Sequence, residues 1–145
     1  MRGLYWQGLA LVLTALALVP AGAHLFEMAH KLGLGREAYF IAQGLYNGWA
    51  LLGTFMIAAM ILNAWLAWRG ASSRAWHGAA ALLLAAALAN FFAFTYPANQ
   101  ATRNWTSQPE NWELLRRQWE YSHAVGAVLV FAALCAVVVA VLKRG

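Results

Sequence analysis

The chain is 145 residues long, 63% hydrophobic and 10% charged, with ten Lys and Arg against five Asp and Glu. Such a composition excludes an ordinary soluble domain and describes one integral membrane domain, residues 1–145, embedded in a lipid bilayer. The basic residues are scattered among apolar blocks and not gathered with aromatics along a groove, which excludes nucleic acid and assigns the charge to anchoring at headgroups.

A hydrocarbon core needs about 20 residues of helix, and four apolar segments are long enough, at about 4–26, 39–68, 75–96 and 121–142. They predict an all-α fold, an integral membrane antiparallel four-helix bundle. Pro20 in the first segment removes a backbone donor and predicts a bend there. The second segment is longer than a bilayer requires and predicts a tilted or protruding helix. Within it Gly44 and Gly48, spaced four apart, permit close packing inside a protomer or between protomers, so a homo-oligomer is open. "RGASSRA" is a short polar turn that makes the second and third helices antiparallel neighbours. Pro97 predicts the end of the third helix. The extramembrane connection 97–120 is the one long loop. In it Ser107, Pro109 and Glu110 form a capping-box pattern that predicts the start of the fourth helix near Gln108. That helix then extends beyond the bilayer by about three turns at 1.5 Å rise per residue, with Glu113 and Arg117, and Arg116 and Glu120, spaced to pair.

Seven of the eight Trp, all but Trp49, stand near the ends of apolar runs, where an amphipathic ring favours the interface. The single cysteine, Cys135, has no partner for an intramolecular disulfide. Arg2, Arg69, Arg74, Lys143 and Arg144 fall on one side of the bundle. Lys31, Arg36, Arg103, Arg116 and Arg117 fall on the other, with every acid and the long loop. The acid-free side is read as cytoplasmic, which places both termini in the cytoplasm; the expected location is a bacterial inner membrane. "AGA" before His24 also fits a signal-peptide cleavage site, after which the new amino group and the imidazole would chelate copper together. The apolar stretch running on to Phe26 favours a retained span.

Ionisable groups inside apolar segments are costly and face the bundle interior or a water-filled cavity. Here the half away from the termini carries His24, Glu27, Gln43, Tyr46, Asn47, Thr95, Tyr96, Asn99, Glu120, Ser122 and His123, while the other half offers Asn63 and Thr14. "HLFE" in the first helix and "EYSH" in the fourth each place His and Glu three residues apart. Because those helices are antiparallel, His24 is level with His123, and Glu27 with Glu120 about 4.5 Å further out. Imidazoles and carboxylates together suit one transition metal, iron, copper, manganese or zinc. The second and third helices lack the further core glutamates of di-iron bundles, which favours one ion. Alternatively the acids pair with Lys31 and Arg116 while the histidines hydrogen-bond across helices, or His24 and His123 are axial ligands of haem b in an electron carrier. Tyr46 and Tyr96 are candidates for proton transfer; Asn47, Asn99, Arg103, Trp112, Arg116 and Trp119 for substrate or supporting contacts. Asn99 also suits the capping of a helix broken at Pro97. His30 and His77, at helix ends, are read as interfacial. Nucleophile triads, phosphate loops and nucleotide motifs do not occur in the sequence.

"GAHLFE", "YNGWALLG", "FTYPANQATRNW" and "NWELLRRQWEYSHAVGAVL", which together sample nearly the whole chain, resemble the small four-helix membrane proteins grouped with fungal anthrone oxygenases. Where bacterial members of that grouping tend to read Leu-Pro-x-Lys, this chain has "EMAHK", so His30 departs from the pattern. The resemblance implies oxygenation of an electron-rich, lipophilic aromatic, an anthrone carbon becoming a quinone carbonyl. It marks His24, Glu27, Asn99, Trp112, Arg116, Trp119, Glu120 and His123 as positions within matching stretches. The leading expectation is a metal-dependent oxidoreductase or oxygenase acting on a small lipophilic quinol or phenol. The competing ones are the haem carrier and a non-catalytic protein that binds lipid or stabilises a partner.

Overall fold

Inside a bilayer no water is available to backbone N–H and C=O groups, so an apolar run must satisfy them within itself as a helix. The computed structural model describes residues 2–70 and 73–143, the side chains of residues 2 and 3 excepted. The Arg2 side chain, Arg144 and the middle of "RGASSRA" therefore lie outside the described residues. The elements are α1 (Arg2–Leu32), α2 (Arg36–Gln43), α3 (Gly53–Trp68), α4 (Arg74–Asn90), α5 (Tyr96–Ala101) and α6 (Trp112–Leu142). Two 3-10 turns, Gly44–Tyr46 and Trp49–Leu52, precede α3, and a π turn, Phe91–Thr95, joins α4 to α5. Four stretches are long and apolar enough to cross a membrane: Leu4–Leu32, Trp49–Trp68, Arg74–Ala101 and Trp112–Leu142. The fold is all-α, a four-helix membrane bundle. α1 packs on α3 and α6, and α4 packs on the same two, which closes a square.

Small residues hold the square together. Ala10, Ala17, Ala59, Ala80, Ala87, Ala133 and Ala136 are buried with Leu66, Leu84, Val130 and Val137, and alanine at helix contacts lets backbones approach closely where apolar surface alone gives no advantage over lipid. A second buried cluster caps the end away from the termini, hereafter the distal end. It comprises Tyr39, Phe40, Ala98, Trp105, Trp112, Leu115 and Trp119. Trp105, Trp112 and Trp119 were expected at the interface. They are buried because the distal segments fold over one another and give their rings aromatic partners, such as Tyr39 at 5.2 Å from Trp105.

Several expected boundaries move. Segment 39–68 is not one helix: Gly48 has φ 85°, a left-handed conformation that glycine adopts without a Cβ penalty, and it separates the two 3-10 turns. Pro97 does not end the third span. It lies in the first turn of α5, and the wider π turn before it accommodates a residue that has no N–H and would crowd the preceding turn of a regular helix. Gln118 Nε2 donates to the Phe94 carbonyl in that turn at 2.8 Å. α1 likewise continues through Pro20. α6 begins at Trp112 and not near Gln108, and its first turn has no side-chain cap. A tertiary contact replaces the local signal, since Arg36 Nη2 donates to the carbonyls of Gln108 and Pro109 at 2.6 and 3.2 Å. Neither pair expected on α6 is among the ion pairs of the described residues, both of which involve Lys31.

His77 is fully buried, not interfacial. The Asn63 amide donates to the Ala59 carbonyl at 2.9 Å, so Asn63 Oδ1 is the acceptor toward His77 and the imidazole Nδ1–H the donor, at 2.8 Å. Gln7 is also buried in this terminal half of the bundle.

Candidate functional site

The face of α1 that carries His24 repeats at Glu27 and Lys31, three and seven residues on, as a helical stripe does. α6 presents Trp119, Glu120 and His123 to it. The His24 and His123 rings meet at 4.2 Å between centroids with 36° between planes. Trp119 stands edge-on to His24 at 4.9 Å and 4.0 Å from His123, and Tyr46 lies 4.5 Å from His24. The structure thus brings His24, His123, Trp119 and Tyr46 into one aromatic group.

The carboxylates take another partner. Lys31 Nζ stands 3.2 Å from Glu120 and 3.8 Å from Glu27, with the Tyr46 and Trp119 rings 4.7 and 4.8 Å from the ammonium. The Lys31 side chain is 5% exposed, Glu120 is fully buried and Glu27 is 47% exposed. Tyr39 donates to Glu120 Oε1 at 3.0 Å and accepts from Gln43 Nε2, and Tyr46 donates to Glu27. Tyr39 and Tyr46 lie between the first two spans. Burial, reinforced for Tyr39 by Glu120 and for Tyr46 by Glu27, pushes both phenols above their ordinary pKa, so each remains a proton donor to its carboxylate. Glu120 Oε2 and His24 Nδ1 are buried and have no hydrogen-bond partner.

A cavity of about 560 Å³ opens beside the histidines. His24, His123, Asn90, Thr95, Asn99 and Ser122 supply its polar wall; Trp49, Met56, Phe91 and Val130 are among its apolar lining. The Ser122 hydroxyl donates to the Trp119 carbonyl at 2.9 Å, which leaves Thr95 as donor to Ser122 at 2.7 Å. Asn90 Nδ2 donates to the Ser122 carbonyl at 2.7 Å, so this wall is tied to α6. A smaller hollow of about 300 Å³ lies outside Tyr46, lined by Phe26, Glu27, His30 and Lys31. Tyr46 borders both spaces.

Asn99 organises the distal end. Its Oδ1 accepts from the indole N–H of Trp105 at 3.1 Å and of Trp119 at 2.8 Å. Trp105 reaches it because Arg103, Asn104 and Trp105 all have positive φ, 48°, 55° and 64°, a run that costs L-residues free energy. Thr102 holds the run, its hydroxyl donating to the Ala98 carbonyl at 2.8 Å and accepting from the Trp105 N–H at 3.1 Å. Asn99→Ala is expected to strand two indole donors and to cost about 2 kcal/mol or more, read as a lower unfolding midpoint in detergent. Asn99→Asp keeps the acceptor and is expected to lose less; equal loss in both would show that the indole bonds are not what matters.

The remaining expected residues disperse. Arg116 donates to the Leu34 carbonyl at 2.7 Å and lies over Trp112 at 4.6 Å, in the aromatic cap. Asn47 is on the exposed rim of the cavity. Arg103 is exposed in the loop, its carbonyl accepting from Thr106. Tyr96 is 43% exposed, accepts from Gln100 and is not part of the cavity wall. His30 is exposed. Tyr39 is absent from the expected residues, Lys31 is expected only as an alternative partner of the acids, and Gln43 only as one of the polar residues of this half; the seven-residue step from His24 to Lys31 is the available signal for placing the lysine in the site.

These residues fit the expected metal set only in part. His24 and His123 adjoin, but the Lys31 ammonium stands between the two carboxylates, where a bridging cation would be held. Among the described residues no three of His, Cys, Asp or Glu converge as a cage. Haem fits less well, because imidazole–metal bonds of about 2 Å place axial rings roughly 6 Å apart across the porphyrin, against 4.2 Å here. No family model, curated protein or solved structure matches the chain.

Proposed function

We propose that the protein binds a small lipophilic aromatic, a phenol, quinol or anthrone, in the distal cavity, and that His24 and His123 accept and return a proton while the ligand is oxidised by dioxygen. The observation that carries this reading is the imidazole pair on the cavity wall, with the buried Nδ1 of His24 unpartnered. A cavity of about 560 Å³ lies in the usual range for sites that hold one small organic molecule, about 300–1,000 Å³. For an anthrone the balance is one methylene and one dioxygen giving one carbonyl and one water. Two C–H bonds break, one oxygen atom becomes the carbonyl, and the other leaves as water with both hydrogens. An imidazole takes one methylene proton, the carbon adds dioxygen and regains that proton as a hydroperoxide; an imidazole then takes the second methylene proton as the O–O bond breaks and the carbonyl forms, and returns it to the departing hydroxide as water. Lys31 keeps Glu120 neutralised beside the site without a metal ion. The resemblance to the anthrone-oxygenase grouping supports the same substrate class.

Oxygen uptake by purified protein in detergent with anthrone as substrate tests this. Turnover that survives a strong chelator is expected; turnover lost on chelation and restored by one metal would overturn the metal-free reading and return His24, Glu27, Glu120 and His123 to consideration as ligands. Absence of both binding and turnover, with anthrone and with a naphthol, would sink the proposal.

A further inference from the structure

The cavity wall reaches the outside of the bundle along one line. Ala50, Thr54 and Ile57, spaced four and three apart on one edge of the second span, line the cavity and are exposed. Phe92 on the π turn of the third span also lines the cavity and is exposed. Ile57 is 42% and Phe92 56% exposed. In the terminal half α3 and α4 share one packed core through Ala59, Leu66, Ala80 and Leu84. Distally the π turn of the third span packs on α4, α5 and α6. Among the described residues it has no comparable packing on the second span, which there begins as a 3-10 turn behind Gly48. Ile57 is the ninth residue of the twenty in Trp49–Trp68, so it lies near the middle of the hydrocarbon, where no water competes for the opening.

From this we infer that the cavity is loaded sideways from the bilayer, through a portal between Ile57 and Phe92, by a ligand already dissolved among the acyl chains. The inference rests on the proposed binding of a lipophilic aromatic and names its source. The rim of the same opening carries Asn47 and Asn104 at its distal end, both exposed. A phenol moving in between the apolar edges keeps its ring at hydrocarbon depth and its hydroxyl toward the polar wall, so it need not cross the aqueous phase. Membrane solubility then becomes part of substrate selection.

The test uses the full chain in phosphatidylcholine liposomes, with Cys135→Ala so that Ile57→Cys and Phe92→Cys are the only thiols. A bismaleimide bridges the portal after folding, and a monofunctional maleimide gives the unbridged control. The probe is 4-hydroxybenzophenone, a lipophilic phenol that photolabels nearby C–H bonds, with labelling of cavity-lining Met56 read by mass spectrometry. Bridging before the probe is added is expected to cut Met56 labelling at least tenfold, whereas protein loaded first and bridged afterwards keeps its label. Equal labelling with and without the bridge would overturn the portal and leave the cavity reading standing. Loss of label in the preloaded sample would show that the bridge fills the cavity, which also overturns the portal. No Met56 labelling in the unbridged control would overturn the binding proposal itself.

Discussion

Lys31→Met is expected to destabilise the protein by about 3–5 kcal/mol, the usual cost of stripping one partner from a buried ion pair. Glu120 has no exposure and Lys31 almost none, with 3.2 Å between the charged groups, so removing the ammonium leaves a carboxylate in low dielectric with only the Tyr39 hydroxyl to support it. The measurement is thermal unfolding in detergent, followed by tryptophan fluorescence, because Trp119 lies against the ammonium. Lys31→Met with Glu120→Gln is expected to recover most of the loss, since no unpaired charge remains. Glu27→Gln is expected to change stability by no more than about 1 kcal/mol, because its carboxylate is 47% exposed and 3.8 Å away, the regime of solvent-screened pairs. A Lys31→Met protein as stable as the parent would remove the internal counterion from the account, and with it the reason for treating Glu120 as already neutralised.

The second large effect is on turnover. His24→Ala and His123→Ala are each expected to lower anthrone-dependent oxygen uptake by about 10²–10⁴-fold, the usual contribution of a positioned acid–base group. The double replacement is expected to lose little more than either single one, since the rings act as a unit at 4.2 Å. Tyr96→Phe, outside the cavity wall, is expected to stay within about twofold. Uptake unchanged in both histidine variants, with the fold intact by circular dichroism, would remove the imidazoles from the chemistry and leave a binding cavity.

The spans were legible because apolar runs of membrane length leave the backbone no alternative to helix. The level of His24 with His123 followed from three-residue rises on antiparallel helices, and the rings do meet. What the sequence concealed was decided by contacts between distant segments. Lys31 looked like one more headgroup anchor, four residues from Glu27; only its proximity to Glu120, from a helix nearly ninety residues on, makes it the centre of the charge cluster. The capping signal at Ser107 and Glu110 was sound as local chemistry, yet Arg36 takes the carbonyls of Gln108 and Pro109 and the helix starts later. Trp105, Trp112 and Trp119 carried the signature of interfacial rings; Trp105 belongs to a left-handed run at 103–105 that no propensity announces, while Trp112 is covered by Tyr39 and Phe40 and Trp119 by His24 and Tyr46.

The π turn sets a phase slip in the third span. Going along it, Ala80 and Ala87 are buried seven residues apart, and so are Thr95 and Thr102, but the step from Ala87 to Thr95 is eight. One residue has been inserted into the helical count, and everything after it is turned by about 100° relative to an unbroken α-helix. Asn99 lies in the turned part. Its amide faces the two indoles because the count is off by one, so a chain shortened by a single residue such as Ala93 would keep a third span apolar and long enough to cross a membrane while rotating the acceptor away from both tryptophans. The distal architecture is therefore sensitive to the parity of one short stretch, Phe91–Thr95, more than to which apolar side chains fill it.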